Sequence, residues 1–229
     1  MKQLALPVRL RAEATFESFS AGPNREAVAA LHTPGNLPIW LWGAPGSGKT
    51  HLLQATCAAA GSAAAAYFPV GNTADLPPEA LHGFASRGVL CIDDVEAIAG
   101  DLRWEQSLFE LFNEALELHT RLIFAGAVPP GALPWALGDW RSRAAACLVY
   151  QLRELDDAGR IEALRLRALQ RGLQLPPETA DYLLRRMPRD LSSLLGLLDD
   201  LDEASLAAQR RLTIPFIKDA LERSAKTPP

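Results

Sequence analysis

The chain has 229 residues, of which 48% are hydrophobic and 22% are charged. A chain of this length can bury one good core and a smaller second one, so we expect one or two domains. Its 23 basic and 27 acidic residues give a net charge of −4 without a dense basic block, which argues against autonomous DNA binding. Neither a membrane-spanning run nor the apolar segment of a signal peptide is expected. Three cysteines without paired spacing indicate reduced core thiols and hence a cytoplasmic protein; they are Cys57, Cys91 and Cys147.

The first part of the chain predicts a strand, a glycine-rich loop and a helix, in that order. Residues 1–14 are interpreted as a tail, and a short helix is expected over 25–31. The apolar run 39–42 predicts a buried strand, and the Leu- and Ala-rich residues 51–60 predict a helix. Between them lies the pattern G-x-x-x-x-G-K-[ST], formed by Gly43, Ala44, Pro45, Gly46, Ser47, Gly48, Lys49 and Thr50.

This loop has the residues that bind the phosphates of a nucleotide. Glycines let successive backbone N–H groups point at the phosphates, while Lys49 supplies a positive charge and the Thr50 hydroxyl ligates Mg²⁺. The N-terminal dipole of the following helix also favours an anion at this place. We therefore predict a nucleotide site with Mg²⁺.

A second part of the same site is predicted after a later strand. Residues 67–70 predict a strand and 79–85 a short helix, and the apolar run 89–92 predicts a buried strand that leads into Asp93 and Asp94. A buried carboxylate without a partner is costly, so acids in this position favour a functional role. We assign Asp93 to the Mg²⁺ shell and Asp94 to orienting the attacking water, as in phosphate-loop enzymes.

Two further strands complete the predicted sheet. Residues 104–119 have apolar positions at the three-and-four spacing of a helix packed on a sheet, and 122–125 and 147–150 predict strands. Strands that alternate with helices indicate a largely parallel sheet covered on both faces. The predicted fold class is α/β, a phosphate-loop parallel sheet followed by a small all-helical domain.

After Glu154 the strand-like runs stop and helical periodicity continues to the end. Prolines lie close to the first turns of the four helices predicted there, which span 156–171, 177–187, 189–209 and 215–223. We therefore expect three regions, namely a tail over 1–14, an α/β domain over 15–155 and a helical lid domain over 156–229. The arginines of the first lid helix are interpreted as a solvated face; they are Arg160, Arg165, Arg167 and Arg171.

A phosphate-loop α/β domain followed by a helical lid resembles the AAA+ ATPases. Within them, three motifs closely resemble the DnaA family of replication proteins; they are Gly48-Lys49-Thr50-His51-Leu52-Leu53, Thr15-Phe16-Glu17-Ser18-Phe19 and Gly22-Pro23-Asn24. Two more resemble the Hda branch of that family, which comprises shorter DnaA-related regulators; they are Gln3-Leu4-Ala5-Leu6-Pro7 and Leu212-Thr213-Ile214-Pro215-Phe216-Ile217-Lys218. The resemblance covers nearly the whole chain. A DnaA initiator would continue into a helix-turn-helix DNA-binding domain, for which we expect no residues here.

The resemblance implies a sliding clamp as one partner. The N-terminal motif is similar to the peptide with which many proteins dock on the DNA polymerase III sliding clamp. In that peptide the glutamine, here Gln3, makes polar contacts, and the leucines, here Leu4 and Leu6, enter an apolar pocket. Pro7 completes the motif.

The resemblance also assigns functional roles to single basic residues. Arg143 matches the family's arginine finger, which points from its own subunit towards a nucleotide bound by a neighbour. Arg141 is close enough to compete for this assignment. Arg189 matches the sensor-two arginine, which reaches for the phosphates across the cleft between the domains, and a cation in a first helical turn favours an anion as its partner. His51, which follows the phosphate loop, is assigned to the nucleotide site.

One segment departs from the family pattern. After the strand 122–125, relatives carry a polar sensor-one residue in a segment of Ser/Gly-Asp-Arg-Pro type. The corresponding positions here are Ala127 and Val128, whose side chains cannot hydrogen-bond a phosphate or a water. Intrinsic hydrolysis is therefore expected to be weak or absent, whereas nucleotide binding is expected to be intact.

The resemblance as a whole implies a regulatory adaptor. Bound ADP with Mg²⁺ would fix the relative orientation of the two domains, and Arg143 would be presented to ATP on DnaA. The tail would tether the complex to clamps loaded on DNA and raise its effective concentration there. DnaA would be left in its ADP form, which represses re-initiation of replication.

Two alternatives remain open at this stage. An ATP-hydrolysing enzyme, such as a helicase loader or remodeller, is favoured by the complete set of Lys49, Thr50, Asp93 and Asp94. A self-assembling, nucleotide-dependent interaction module would instead use Arg143 only between copies of this chain, as a homo-oligomer.

Overall fold

The computed structural model describes residues 14–61, 63–72, 76–187, 190–208 and 212–224. They belong to two compact units that divide between Glu154 and Leu155. The first unit carries the sheet and the second is helical.

Five parallel strands form the sheet of the first unit, in the spatial order β2-β3-β4-β1-β5. This arrangement confirms the predicted α/β fold with a parallel sheet. The strands are β1 (Ile39–Trp42), β2 (Ala65–Pro69), β3 (Val89–Asp93), β4 (Arg121–Gly126) and β5 (Leu148–Gln151). The helices of this unit are α1 (Arg25–His32), α2 (Lys49–Ala60), α3 (Leu102–Glu117) and α4 (Gly138–Ala145).

Successive residues of a strand point to opposite sides of the sheet, and helices cover both sides, so both faces are buried. Trp40 and Phe124 lie on one face, where their ring centroids are 5.8 Å apart and where α3 and α4 pack. Leu41 and Ile123 lie on the other face, against α1 and α2. All three cysteines are buried and unpaired, which confirms their interpretation as core thiols.

Three segments of this unit differ from the sequence prediction. The helix expected over 79–85 is instead two short 3₁₀ turns, Pro78–Leu81 and Phe84–Ser86. Strand β2 begins two residues earlier than expected, because Ala65 pairs with Val89 of β3 and this ladder overrides the helical preference of alanine. Helix α4 was not predicted, because only two of its eight residues are buried and it has no amphipathic pattern.

The second unit is a helical bundle, as predicted. Its core is mainly leucine, with Phe216 and Ile217 buried among the leucines. Asp156 caps the first helix by accepting the N–H of Gly159 at 2.8 Å. The helices are α5 (Asp157–Gln170), α6 (Pro177–Arg186), α7 (Leu191–Ala208) and α8 (Ile214–Ser224).

The prediction of a solvated arginine face on α5 is wrong for three of its four members, since the side chains of Arg160, Arg167 and Arg171 are only 13%, 14% and 25% exposed. Arg160 forms an ion pair with Asp157 of its own helix at 3.0 Å. Arg167 forms an ion pair with Asp199 of α7 at 2.6 Å. Arg171 pairs with Asp199 at 2.9 Å and with Asp202 at 3.0 Å. Arg167 and Arg171 therefore join two lid helices, which sequence periodicity alone does not distinguish from a solvent-facing row.

A buried carboxylate fixes the segment that leads into α4. Glu105 of α3 is fully buried, and its carboxylate accepts backbone N–H groups from Gly100 at 2.7 Å, Ala136 at 3.1 Å and Leu137 at 2.6 Å. Three charge-assisted hydrogen bonds offset the cost of removing this charge from water. Glu105 therefore sets where α4 begins.

We expect Glu105→Gln to lower the free energy of unfolding by about 1–3 kcal/mol, because an amide cannot accept all three hydrogen bonds without leaving a buried group unpaired. The matched control is Glu110→Gln on the exposed face of the same helix, which we expect to change stability by less than about 0.5 kcal/mol. Urea unfolding of both variants measures the difference. Equal stabilities would show that Glu105 does not hold this segment.

Candidate nucleotide site

The parallel sheet brings the predicted site segments to one edge, at the carboxyl ends of the strands. Strand β1 ends at Trp42, directly before the glycine loop, and β3 ends at Asp93. Strand β4 lies between them and ends at Gly126. The N–H of Gly43 donates to the Gly126 carbonyl at 3.4 Å. The phosphate-loop pattern, the two acids and the sensor-one segment are therefore parts of one edge.

Two glycines are required by the geometry of the loop. Gly48 has φ of +96°, and a Cβ there would lie 2.5 Å from Cε2 of Phe19. A Cβ on Gly43 would lie 2.3 Å from the carbonyl oxygen of Leu152. A side chain at either position would force the backbone to move, so the glycines allow both the turn and the close approach of neighbouring chain segments.

The polar groups of the loop fit an anionic ligand. Nζ of Lys49 donates to the carbonyls of Gly43 at 2.8 Å and Ala44 at 3.1 Å. Oγ of Ser47 is buried and has no hydrogen-bond partner among the described residues. Helix α2 begins at Lys49, so its first N–H groups and its dipole lie at the end of the loop. An ammonium group and an unpaired hydroxyl at a helix N-terminus are suited to phosphate oxygens.

Asp93 joins the loop helix to the sheet. Its side chain is 1% exposed, and Oδ2 accepts the hydroxyls of Thr50 at 2.6 Å and Tyr67 at 2.8 Å. Oδ1 accepts the N–H of Asp94 at 3.0 Å. The structure thus brings Thr50 and Asp93, the two predicted Mg²⁺ ligands, into direct contact. Hydroxyl and carboxylate oxygens are donors that Mg²⁺ takes together with the phosphates of a nucleotide.

Asp94 has the strained backbone and perturbed acidity typical of functional residues. Its φ of 57° and ψ of 40° are left-handed, which is uncommon outside glycine. Burial raises the pKa of its carboxyl, as do the neighbouring charges of Asp93 and Glu96, whereas Lys49 lowers it. A Cβ on Gly71 would lie 3.0 Å from Oδ2 of Asp94, so a small residue in the turn after β2 makes room for this side chain.

His51 contacts the segment that precedes α1. Its Nε2 lies 2.9 Å from the carbonyl oxygen of Thr15 and 3.0 Å from Oγ of Ser18. The ring of Phe19 lies against it with centroids 5.5 Å apart. The contacts described for His51 are thus with residues of the Thr15–Phe19 motif, which places that motif beside the glycine loop. Sequence analysis gave Phe19 no role, since only the fold brings it to Gly48.

Arg143 lies on α4, in the turn that precedes β5. It is exposed, and its guanidinium carbon is 5.9 Å from the ring centroids of both Phe109 and Phe112, a cation–π arrangement that orients it. Arg141 is also exposed. Neither arginine forms an ion pair with a residue in the described part of the chain. Both are therefore available to an anion from outside this unit.

Several predicted site residues fall outside the described ranges. They are Gln3, Leu4, Leu6, Pro7 and Arg189. At the sensor-one position, the backbone carbonyl of Val128 accepts the indole N–H of Trp40 at 3.2 Å. The Val128 carbonyl is therefore used to pair a buried tryptophan, and the side chains of Ala127 and Val128 add no polar group.

Sequence analysis missed Tyr67 and Gln54, which complete the polar cluster around Asp93. Gln54 lies on α2 one turn after Thr50 and forms a hydrogen bond with the Tyr67 hydroxyl. The only sequence signal is the pair spacing of Thr50 and Gln54 at i and i+4, which places both on one face of the helix. Burial and the adjacent Asp93 charge both raise the pKa of Tyr67, so it stays protonated and donates.

Within the described ranges, no group of three or more His, Cys, Asp and Glu side chains is placed to hold a metal by itself. Thr50 and Asp93 would need phosphate oxygens or waters to complete a metal shell, which is how Mg²⁺ is usually bound with nucleotides. As for membranes, none of the helices in the described ranges is both long and apolar enough to cross one.

The sheet order, the loop after β1 and the acid at the end of β3 define a P-loop AAA+ fold with a helical lid. Domain III of DnaA from Thermotoga maritima has this fold, with 23% identity, a TM-score of 0.78, and coverage of 94% of this chain and 98% of that chain. AMPPCP-bound DnaA from Aquifex aeolicus is 26% identical, with a TM-score of 0.69 over 85% of this chain and 66% of that one. The RuvB Holliday junction branch migration motor of Thermotoga maritima is 15% identical, with a TM-score of 0.69 over 93% of this chain and 72% of that one.

The second unit provides a more specific match. A family model described as Hda, lid domain, matches residues 156–221, which is most of the helical unit. The helical unit is thus similar to the lid domain of Hda, and the chain as a whole is similar in fold to the DnaA structures.

We expect Asp94→Asn to raise the thermal unfolding midpoint at pH 7. The pKa of Asp94 is higher in the folded than in the unfolded chain, so ionising this carboxyl costs more free energy in the folded state. The free energy of unfolding therefore falls as pH rises through the folded pKa. Asparagine removes this penalty and also tolerates the left-handed backbone. At about pH 3, where Asp94 is protonated in both states, the difference should disappear.

The matched control for that variant is Asp139→Asn, an exposed aspartate of α4, which removes the same charge without the burial. Calorimetric scans at both pH values provide the comparison. A midpoint for Asp94→Asn at or below that of the unmodified chain at pH 7 would contradict the analysis of Asp94.

Proposed function

We propose that this protein binds ADP or ATP with Mg²⁺ in the loop between β1 and α2 and acts as a regulatory adaptor that stimulates ATP hydrolysis on DnaA. The observation that carries the proposal is the contact between Thr50 and Asp93 at 2.6 Å, beside a loop in which Gly43 and Gly48 admit no side chain. The hydroxyl and the buried carboxylate offer oxygen ligands suited to Mg²⁺, next to a helix N-terminus that favours an anion.

The comparisons support a nucleotide at this site. DnaA from Aquifex aeolicus carries AMPPCP in one related structure, and another DnaA structure contains AMPPCP and single-stranded DNA. Lys49, Thr50 and Asp93 would hold the nucleotide and Mg²⁺ here, and the metal would neutralise charge on the phosphates. Asp94 would orient a water near the terminal phosphate, and Arg189 would contact the phosphates from the lid.

Weak intrinsic hydrolysis fits the role of an adaptor. Ala127 and Val128 offer no side-chain hydrogen bond at the end of β4, where a polar residue would otherwise position the phosphate or the water. A bound nucleotide would then persist as a structural ligand. Its binding would favour the conformation that contacts DnaA, because a ligand that binds one state better shifts the population towards it.

Arg143 would be the group that acts on DnaA. An exposed guanidinium without an ion-pair partner in the described residues is free to approach a phosphate on another subunit, where it stabilises the charge of the transition state. The aromatic contacts of Phe109 and Phe112 limit its freedom before DnaA binds. Less conformational entropy is then lost on binding.

The N-terminal motif around Gln3 and Leu4 would dock on the sliding clamp and so restrict this action to DNA that carries a clamp. Tethering raises the effective concentration of the adaptor near DnaA without any new contact between the two proteins. DnaA would be converted to its ADP form, and re-initiation would be repressed. Because DnaA and the clamp act on the chromosome, the proposal places this protein in the bacterial cytoplasm.

Nucleotide binding is tested by titrating ADP with Mg²⁺ into the purified chain in a calorimeter. We expect one site, and we expect Lys49→Ala to weaken the affinity roughly 10- to 100-fold, because a charge-assisted contact to phosphate is lost. The control Lys218→Ala removes a lysine of α8 that lies against Tyr182. Unchanged affinity for Lys49→Ala would show that ADP binds elsewhere.

The adaptor role is tested by the turnover of ATP bound to DnaA, with and without clamp loaded on DNA. We expect stimulation only with loaded clamp, and we expect Arg143→Ala to abolish it while ADP binding is unchanged. Arg141→Ala is the matched variant, because it removes a neighbouring exposed arginine from the same helix, and it should keep the stimulation.

In the same assay, the double variant Gln3→Ala with Leu4→Ala should lose both stimulation and co-elution with the clamp. Full stimulation by Arg143→Ala would refute the finger assignment, and loss with Arg141→Ala instead would transfer the role to Arg141. A double variant that still co-elutes would move the clamp contact elsewhere.

A second candidate is an ATPase that acts on its own, as a helicase loader or remodeller. The presence of Lys49, Thr50, Asp93 and Asp94 favours it, since these groups suffice in principle to bind ATP and to orient a water. Phosphate release by the purified chain alone separates the two functions. Multiple turnovers without DnaA would favour the enzyme, and none would favour the adaptor.

A further inference from the structure

We propose that Tyr67 is a positioning residue that holds the Asp93 carboxylate in one orientation for the metal. This inference rests on the proposed function of the site as a Mg²⁺ and nucleotide site. Tyr67 lies on β2, opposite Cys91 of β3 in the parallel ladder, so it reaches Asp93 from the neighbouring strand. Its hydroxyl donates to Oδ2 of Asp93 at 2.8 Å.

The hydrogen bonds of Asp93 leave one oxygen partly open. A carboxylate offers about four lone-pair positions. Two on Oδ2 are taken by the hydroxyls of Thr50 and Tyr67, and one on Oδ1 is taken by the N–H of Asp94. The remaining position is on Oδ1, so this oxygen is the one that can meet a metal or a metal-bound water. The Thr50 oxygen also keeps its lone pairs, since it contributes only its hydrogen to Asp93.

Gln54 fixes the direction of the Tyr67 hydroxyl. A phenol has a single hydrogen, and in Tyr67 it is donated to Asp93. The hydrogen bond between Gln54 and the same hydroxyl must therefore be donated by the Gln54 amide. Gln54 is 5% exposed, so its own alternatives are few. The Gln54 amide and the Asp93 carboxylate thus hold the Tyr67 hydroxyl from two sides, and the hydroxyl in turn contacts Oδ2 of Asp93.

This role is separable from packing. The ring of Tyr67 packs against the core cluster shared by α2 and the sheet, and a phenylalanine would keep that contact. Only the hydroxyl reaches Asp93. Groups that orient a metal ligand without touching the metal typically account for 10- to 100-fold in metal affinity. The hydroxyl should therefore matter only when Mg²⁺ takes part in binding.

The test measures the dissociation constant of ADP in Mg²⁺ and in EDTA. The constant in EDTA divided by the constant in Mg²⁺ gives the factor by which the metal tightens binding. We expect Tyr67→Phe to lower this ratio about 10-fold and to leave the affinity in EDTA unchanged. The matched control is Tyr150→Phe. Tyr150 packs on the same core cluster, and no hydrogen bond of its hydroxyl is found within the described ranges.

Because the ratio is taken within one protein, a lower folded fraction changes the stoichiometry and not the ratio. Gln54→Met is a second variant that removes the donor to Tyr67 while keeping side-chain volume, and its ratio should fall in the same direction. An unchanged ratio in both variants would overturn the inference, as would equal weakening in Mg²⁺ and EDTA, which is the mark of a structural role. If the unmodified chain binds no ADP, the proposed function fails as well, and this is seen before any variant is measured.

Discussion

The rest of the site depends on the hydrogen bonding of one buried carboxylate. Asp93 lies at the end of a central strand with almost no solvent contact, and an ionised acid in that position is tolerated only when its oxygens are paired. Its partners come from α2, from β2 and from the following residue of its own chain. The need to satisfy Asp93 therefore fixes how the loop helix sits on the sheet, and the same bonds leave one oxygen open to a metal.

A second buried acid has the corresponding role on the other face of the sheet. Glu105 accepts three backbone N–H groups from the segments that flank α3 and precede α4. It contributes nothing to the chemistry of phosphates, yet it determines where α4 begins and hence where Arg143 is presented. Asp93 thus holds the segments that would bind nucleotide, and Glu105 holds the segment that leads into α4, which carries Arg143.

The sequence predicts regular elements well where composition and local order suffice. The strand, loop and helix around Lys49 and the apolar run into Asp93 could be recognised because residue type and spacing carry the chemistry directly. Helix α4 could not, since it has little apolar periodicity and is held by a glutamate more than thirty positions away. Tyr67 could not either, because a tyrosine inside a strand is usually a core residue and only the parallel pairing of β2 with β3 brings it to Asp93. Arg167 and Arg171 were misassigned for the same reason, since their partners lie on α7.

The most direct measurement of the central claim is a crystal structure of the chain grown with ADP and Mg²⁺. The account predicts a diphosphate against the backbone N–H groups at the start of α2, with Lys49 turned from the loop carbonyls to the phosphates. It also predicts a metal beside Thr50 and on the Oδ1 side of Asp93. An empty loop with ADP bound elsewhere, or a metal remote from Thr50 and Asp93, would contradict it.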